Sequence, residues 1–262
     1  MTRVEMAGLL VEAAEPAAVA EFWSRALGGA TTTLPDGSVQ VMGPHPELTI
    51  YPQARPKMVK NRVHFDVYAR SVDPLLALGG RVLDEYLPTR VTLADVEGNE
   101  FCAFLDPEFS SAPRVRDAPA RLFAVCTDSD RPEELAAWWA VLTGADVRNG
   151  GDGTPRWLYD AAGWRELIWK FVRVGDEPLG RRANNSDEPL GRRANNSDEP
   201  LGRRANNSDE RVVPNRWRWT VHAGTADLVT AGASVAQPGV LLDPQLNEFS
   251  VSERLGKSAG VP

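Results

Sequence analysis

The chain of 262 residues holds three histidines and two cysteines, so the side chains able to ligate a soft metal or move a proton near neutral pH are few. One histidine sits in an alternating segment, Val63-His64-Phe65-Asp66-Val67-Tyr68. A period of two puts Val63, Phe65 and Val67 on one face of a strand and His64, Asp66 and Tyr68 on the other. That polar face offers an imidazole that accepts a proton, with a carboxylate beside it. A second segment, Asn99-Glu100-Phe101-Cys102, sends Glu100 and Cys102 to a common strand face. Cys102 is a conceivable nucleophile, but no neighbour in sequence would activate it. A third segment, Asn215 to His222, alternates like the first and places Arg218, Thr220 and His222 together. An arginine on a polar strand face suits a carboxylate or phosphate group. Pairing with Glu248 is the other reading, since a buried charge needs a partner.

Tryptophan adds a further signal. Of eight, only Trp23 precedes residue 121. Trp139, Trp217 and Trp219 fall at helix or core-face positions and read as packing. Trp157 and Trp164 lie near turns and are the better candidates for lining an aromatic pocket.

The elements that must hold these residues repeat along the chain. Leu9-Leu10-Val11-Glu12 leads into EPAAVAEFWSRALGG, and Leu122-Phe123-Ala124-Val125 leads into RPEELAAWWAVLTGA. In both copies a proline, Pro16 or Pro132, opens an amphipathic helix, where its missing N–H costs nothing. Trp23 and Trp139 follow at the same spacing, and Gly28 and Gly144 end the helices. Residues 61–69 parallel 215–223, and Asp95–Cys102 parallels Asp243–Ser250. Residues 121–253 therefore repeat the layout of 7–105. Each half reads as two strand–helix–strands modules, so the chain holds four. Residues 106–120, rich in Pro and Ser, read as a connection between the halves. Residues 176–208 repeat DEPLGRRANNS three times without a difference. With one leucine per unit they cannot bury enough to offset chain entropy, and a loose loop is expected there. An ordered stack or a self-association device is the alternative.

The net charge of −7 and a pI near 5.1 argue against a nucleic-acid binder. The start, MTRVEMAGLLVEAAEP, reads as neither a signal peptide nor a membrane span, and a cytoplasmic protein is the expectation. The cysteines imply no disulfide framework. Phosphate-binding glycine loops, G-x-S-x-G and HExxH are missing.

With NRVHFDVYA at 61–69, LADVEGNEFCAF at 93–104 and EFWSRALGG at 21–29, the sequence resembles glyoxalase-like members of the vicinal oxygen chelate superfamily, which includes glyoxalase, bleomycin-resistance and extradiol dioxygenase relatives. The resemblance implies an α+β fold of tandem domains, each two βαβββ modules whose curved sheet encloses a cup. It divides the chain into a glyoxalase-like domain at 1–108, a linker at 109–120, and a second such domain at 121–255 interrupted by the insert. Metal-using relatives draw ligands from the first strand, the strand opening the second module, and the last strand. These positions fall on Gly8, His64 and Cys102. Glycine has no ligand atom, and a divalent site normally needs three or more protein ligands. The expectation is a cup without a metal or other cofactor, holding a small organic molecule against His64, Asp66, Tyr68, Glu100, Cys102, Trp157, Trp164, Arg218, His222 and Glu248. The protein would be a monomer or homodimer that sequesters an antibiotic or toxic metabolite. A metal-dependent lyase, isomerase or dioxygenase is the rival reading, and a scaffold associating through the insert is the third.

Overall fold

The computed structural model describes residues 3–43, 46–53, 55, 57–106, 109, 118–174 and 214–252. The triplicated insert lies outside the described residues, and so does most of the 109–120 connection. Four modules follow one another in the chain. The first comprises β1 (Glu5–Ala13), α1 (Pro16–Leu27), β2 (Ala30–Thr33), β3 (Val39–Met42) and β4 (Leu48–Pro52). The second comprises β5 (Val63–Ala69), α2 (Asp73–Ala77), β6 (Arg81–Tyr86), β7 (Arg90–Ala94) and β8 (Glu100–Leu105). The third comprises β9 (Ala120–Ser129), α3 (Pro132–Thr143), β10 (Asp146–Asn149), β11 (Pro155–Tyr159) and β12 (Ile168–Arg173). The fourth comprises β13 (Trp217–His222), α4 (Thr225–Thr230), β14 (Ser234–Gln237), β15 (Val240–Leu242) and β16 (Glu248–Ser252).

The two long helices form where the sequence places them. Pro16 and Pro132 occupy the first turn, and Gly28 and Gly144 close the helices with φ of 75° and 67°. That left-handed conformation is strained for a residue with a Cβ, so glycine belongs there. No helix among the described residues is long and apolar enough to cross a membrane.

The modules combine into two eight-stranded mixed sheets, and the pairing crosses the sequence halves. One sheet runs β14-β15-β16-β13-β1-β4-β3-β2 and joins the first and fourth modules. The other runs β10-β11-β12-β9-β5-β8-β7-β6 and joins the second and third. At each centre the opening strands of two modules pair antiparallel: β1 with β13, and β5 with β9. Inside each module the first and last strands pair in parallel. The divide between the sequence copies therefore separates modules, and each sheet takes one module from either side of it.

A single apolar core spans both sheets. Trp23 of α1 meets Phe65, Phe101 and Trp217 edge-on at centroid distances of 5.1, 5.1 and 6.0 Å. Trp139 of α3 does the same with Trp219 and Phe249 at 5.6 and 5.1 Å. Each of these indoles also donates to a buried aspartate at the turn before a last strand. Trp23 Nε1 reaches Asp95 Oδ2 at 3.1 Å, and Trp139 Nε1 reaches Asp243 Oδ2 at 3.5 Å. Asn99 and Asn247 close those turns with parallel sets of bonds to the same carboxylates. The duplication thus preserves a helix-to-turn lock as well as the order of elements. Trp139, Trp217 and Trp219 pack in the core, as their positions in sequence indicate.

Candidate functional site

The sheet of the second and third modules encloses a cavity of about 780 Å³. Alternation along β5 sends Val63, Phe65 and Val67 into the core and His64 and Asp66 to the opposite, concave side. Strand register then sets the neighbours. Asp66 lies opposite Cys102 of β8, His64 opposite Cys126 of β9, and Cys126 beside Lys170 of β12. All five line the cavity. Glu100 and Trp157 line it as well, so five of the candidates from sequence meet in one place: His64, Asp66, Glu100, Cys102 and Trp157.

The centre of this group is an ion pair that sequence reading missed. Lys170 Nζ donates to Asp66 Oδ2 at 2.7 Å, with the two side chains only 10% and 5% exposed. The ammonium also lies 4.5 Å from the Phe123 ring centroid, 5.1 Å from Trp157 and 5.2 Å from Phe104. Three ring faces and a carboxylate are a favourable setting for a cation withdrawn from water. Burial acts against the charge of Lys170. The negative charge of Asp66 and the hydrogen bond to it outweigh burial and lift the lysine above its ordinary value. Cys126 donates from Sγ to the same Asp66 oxygen at 3.2 Å. Burial first, and then the Asp66 charge, push its thiol well above the usual range, so it remains protonated.

His64, Asp66 and Cys102 bring three possible ligand atoms within 4.8 Å of one another. Counted as donors, they would suffice for a zinc-type site with an open position. The charges are against it. Asp66 is already neutralised by an ammonium at hydrogen-bond distance, and a second, divalent cation beside that ammonium is repelled. His64 Nε2 and Asp66 Oδ1 stand 3.8 Å apart, too far to hydrogen-bond, and His64 Nδ1 has no partner. As arranged, the donors do not fit a divalent metal. Glu100 bonds to Lys57 and accepts from the Asn61 backbone N–H at 3.2 Å, so its carboxylate is also engaged.

The resemblance placed the first-strand ligand position at Gly8. The structure puts Gly8 in the other sheet, where a Cβ would stand 2.7 Å from the Glu47 carbonyl oxygen. The glycine allows β1 and β4 to approach. The opening strand beside His64 is β9, and it presents Cys126.

The remaining candidates lie elsewhere. Tyr68 stacks on Phe123 at 3.9 Å, behind the lysine cage, and does not line the cavity. Trp164 is buried in the core, edge-on to Trp169, and its Nε1 donates to the Ala7 carbonyl at 2.8 Å. Its turn folds over the core, which proximity to a turn does not reveal. Arg218, His222 and Glu248 belong to the sheet of the first and fourth modules. Arg218 pairs there with Glu12 at 3.1 Å, because β13 runs beside β1; Glu248 instead accepts from the Asn215 backbone N–H. His222 Nδ1 is 2.8 Å from Ser252 Oγ.

Sequence reading missed Lys170, Cys126, Arg90, Tyr86 and Phe104. A signal existed for the first. Lys170 is a lone charge between Ile168 and Val172 on one face of an otherwise apolar strand. Its relevance depended on knowing that the second and third modules share a sheet.

Comparisons with known proteins agree with this geometry. Residues 8–104 match the family model described as a glyoxalase-like domain. No curated protein matches the chain in sequence. Among solved structures, glyoxalase I from Zea mays is similar over 95% of this chain and 92% of its own, at 11% identity and a TM-score of 0.54. A putative dioxygenase from Bacillus subtilis subsp. subtilis str. 168 is similar over 95% and 84%, also at 11% identity and a TM-score of 0.54. These identities speak for the fold alone. Residues 8–104 thus carry the likeness to a glyoxalase-like domain, and over the whole chain the two-sheet fold is similar to that of glyoxalase I and the putative dioxygenase.

Proposed function

We propose that the protein binds a small organic molecule in the cup of β5–β12 without a metal ion, as a sequestering protein. The observation behind this reading is the Lys170 ammonium, held 2.7 Å from Asp66 among three aromatic rings. A tethered cation stands on the carboxylate that a metal would need. The cavity is also large enough for a drug-sized ligand and mixes aromatic walls with a few polar groups, the usual make-up of a binding site.

Elemental analysis of the purified protein, after dialysis without chelator, tests the reading. Zn, Mn, Ni and Fe are each expected far below one per chain. Stoichiometric metal that disappears in His64→Ala would overturn it. The clustering of His64, Asp66 and Cys102 within 4.8 Å favours a second reading, a metal-dependent lyase, isomerase or dioxygenase of the same superfamily. It requires Lys170 to leave Asp66, and the same metal analysis decides it.

A further inference from the structure

We infer that the ligand of the β5–β12 cup is a planar aromatic molecule carrying a single negative charge, and that Arg90 recognises that charge. The inference rests on the reading of this cup as a small-molecule site. It comes from matching the charges of the cavity wall. Three acids line the cavity, and each is engaged: Asp66 with Lys170, Glu100 with Lys57, and Asp152 with Arg156. Of the lining cations, Lys60 is held by Asp128, Lys170 by Asp66, Arg156 by Asp152 and Arg173 by Glu133. Arg90 is the exception, with no carboxylate partner among the described residues. A wall with one unmatched cation favours a ligand with one negative charge.

The setting of Arg90 also defines the shape of the ligand. Cross-strand register lines up Tyr86 of β6, Arg90 of β7 and Phe104 of β8 in one row. The guanidinium carbon lies 4.4 Å from the Tyr86 ring centroid and 5.8 Å from that of Phe104. Stacking occupies a face of the guanidinium and leaves its in-plane N–H groups to donate, which is the geometry that grips a carboxylate with two parallel bonds. Phe104 carries the row toward the Lys170 cage and Trp157. An anionic head on Arg90 therefore places a flat ring system along Phe104 and Trp157, where aromatic faces can stack.

Isothermal titration of the full chain in metal-free buffer, with 2-naphthoate, 2-naphthamide and 2-naphthylmethylammonium, tests the assignment. Naphthoate is expected to bind at least about tenfold more tightly than the amide, the difference that one charge-assisted contact provides. Arg90→Gln should abolish that preference, and Arg90→Lys should keep part of it because the charge remains. A preference that survives in Arg90→Gln overturns the role of Arg90. Equal or tighter binding of the amide or the ammonium compound overturns the anionic class and leaves the cup as a small-molecule site. If none of the three binds, both inferences fall.

Discussion

The chemistry of this cup centres on the contact between Lys170 Nζ and Asp66 Oδ2. Both groups are nearly buried, so losing one strands the other in a poorly solvated place. Asp66→Asn is expected to cost about 3 kcal/mol of stability, and the Asp66→Asn/Lys170→Met double variant less than the sum of its parts. Urea denaturation of the four proteins in the cycle would show it; additive costs would mean that the pair is energetically uncoupled. The pH dependence follows from the raised lysine. A group whose folded value exceeds its unfolded value stabilises fully below the unfolded value, ordinarily 10.5 for lysine, and that stability fades as pH rises through the folded value. The wild type should therefore lose stability relative to Lys170→Met only in the alkaline range above 10.5. Cys126 yields a third expectation at this scale. Its thiol is buried and held in the protonated form, so in a Cys102→Ser background Ellman's reagent at pH 8 should label it only as fast as the protein opens. Rapid labelling would show an accessible thiolate.

At the scale of elements, the helices α1 and α3 are tied to the turns before β8 and β16 by one device used twice. An indole N–H donates to a buried aspartate that also closes its own turn. Phenylalanine at Trp23 removes that donor and leaves Asp95 one partner short. A loss of about 2 kcal/mol is expected, with a smaller loss at Trp139, where the bond is longer. Thermal denaturation of both variants would compare them. Burial, opposed by the turn's hydrogen bonds, raises both aspartates above their ordinary 3.8. The folded chain therefore binds these two protons more tightly than the unfolded chain. Their contribution is greatest below pH 3.8 and declines as pH rises through the folded values. These turns are thus not where acid unfolding begins.

At the scale of the whole molecule, both central strand pairs, β1–β13 and β5–β9, join residues from opposite sequence halves. A fragment ending near residue 112 would keep β1 and β5 but leave each without its central antiparallel partner. Long unpaired apolar edges associate with whatever is available. Size-exclusion chromatography should show such a fragment aggregated or dimeric, and mixing it with the remainder of the chain should restore a species of the full chain's size. A stable monomeric fragment would show that the halves close their own cups.

Much of this was legible in sequence. Pro16, Gly28, Pro132 and Gly144 mark the long helices because proline lacks a donor that the first turn does not need and glycine tolerates a left-handed cap. Alternation along 63–68 shows which side chains leave the core, since a strand has only two faces. Applied to 63–68 and 99–102, it puts His64, Asp66 and Tyr68 on one strand face and Glu100 and Cys102 on another. What the sequence could not supply was which module lies beside which. Copies of one module carry similar edges, so local pattern does not choose among partners, and the choice is made by burial over the whole chain. Tertiary structure alone placed Arg218 against Glu12 and sent Trp164 into the core. It also brought Lys170 onto Asp66, the contact that turned a row of apparent metal ligands into a charge-balanced wall with Arg90 left unmatched.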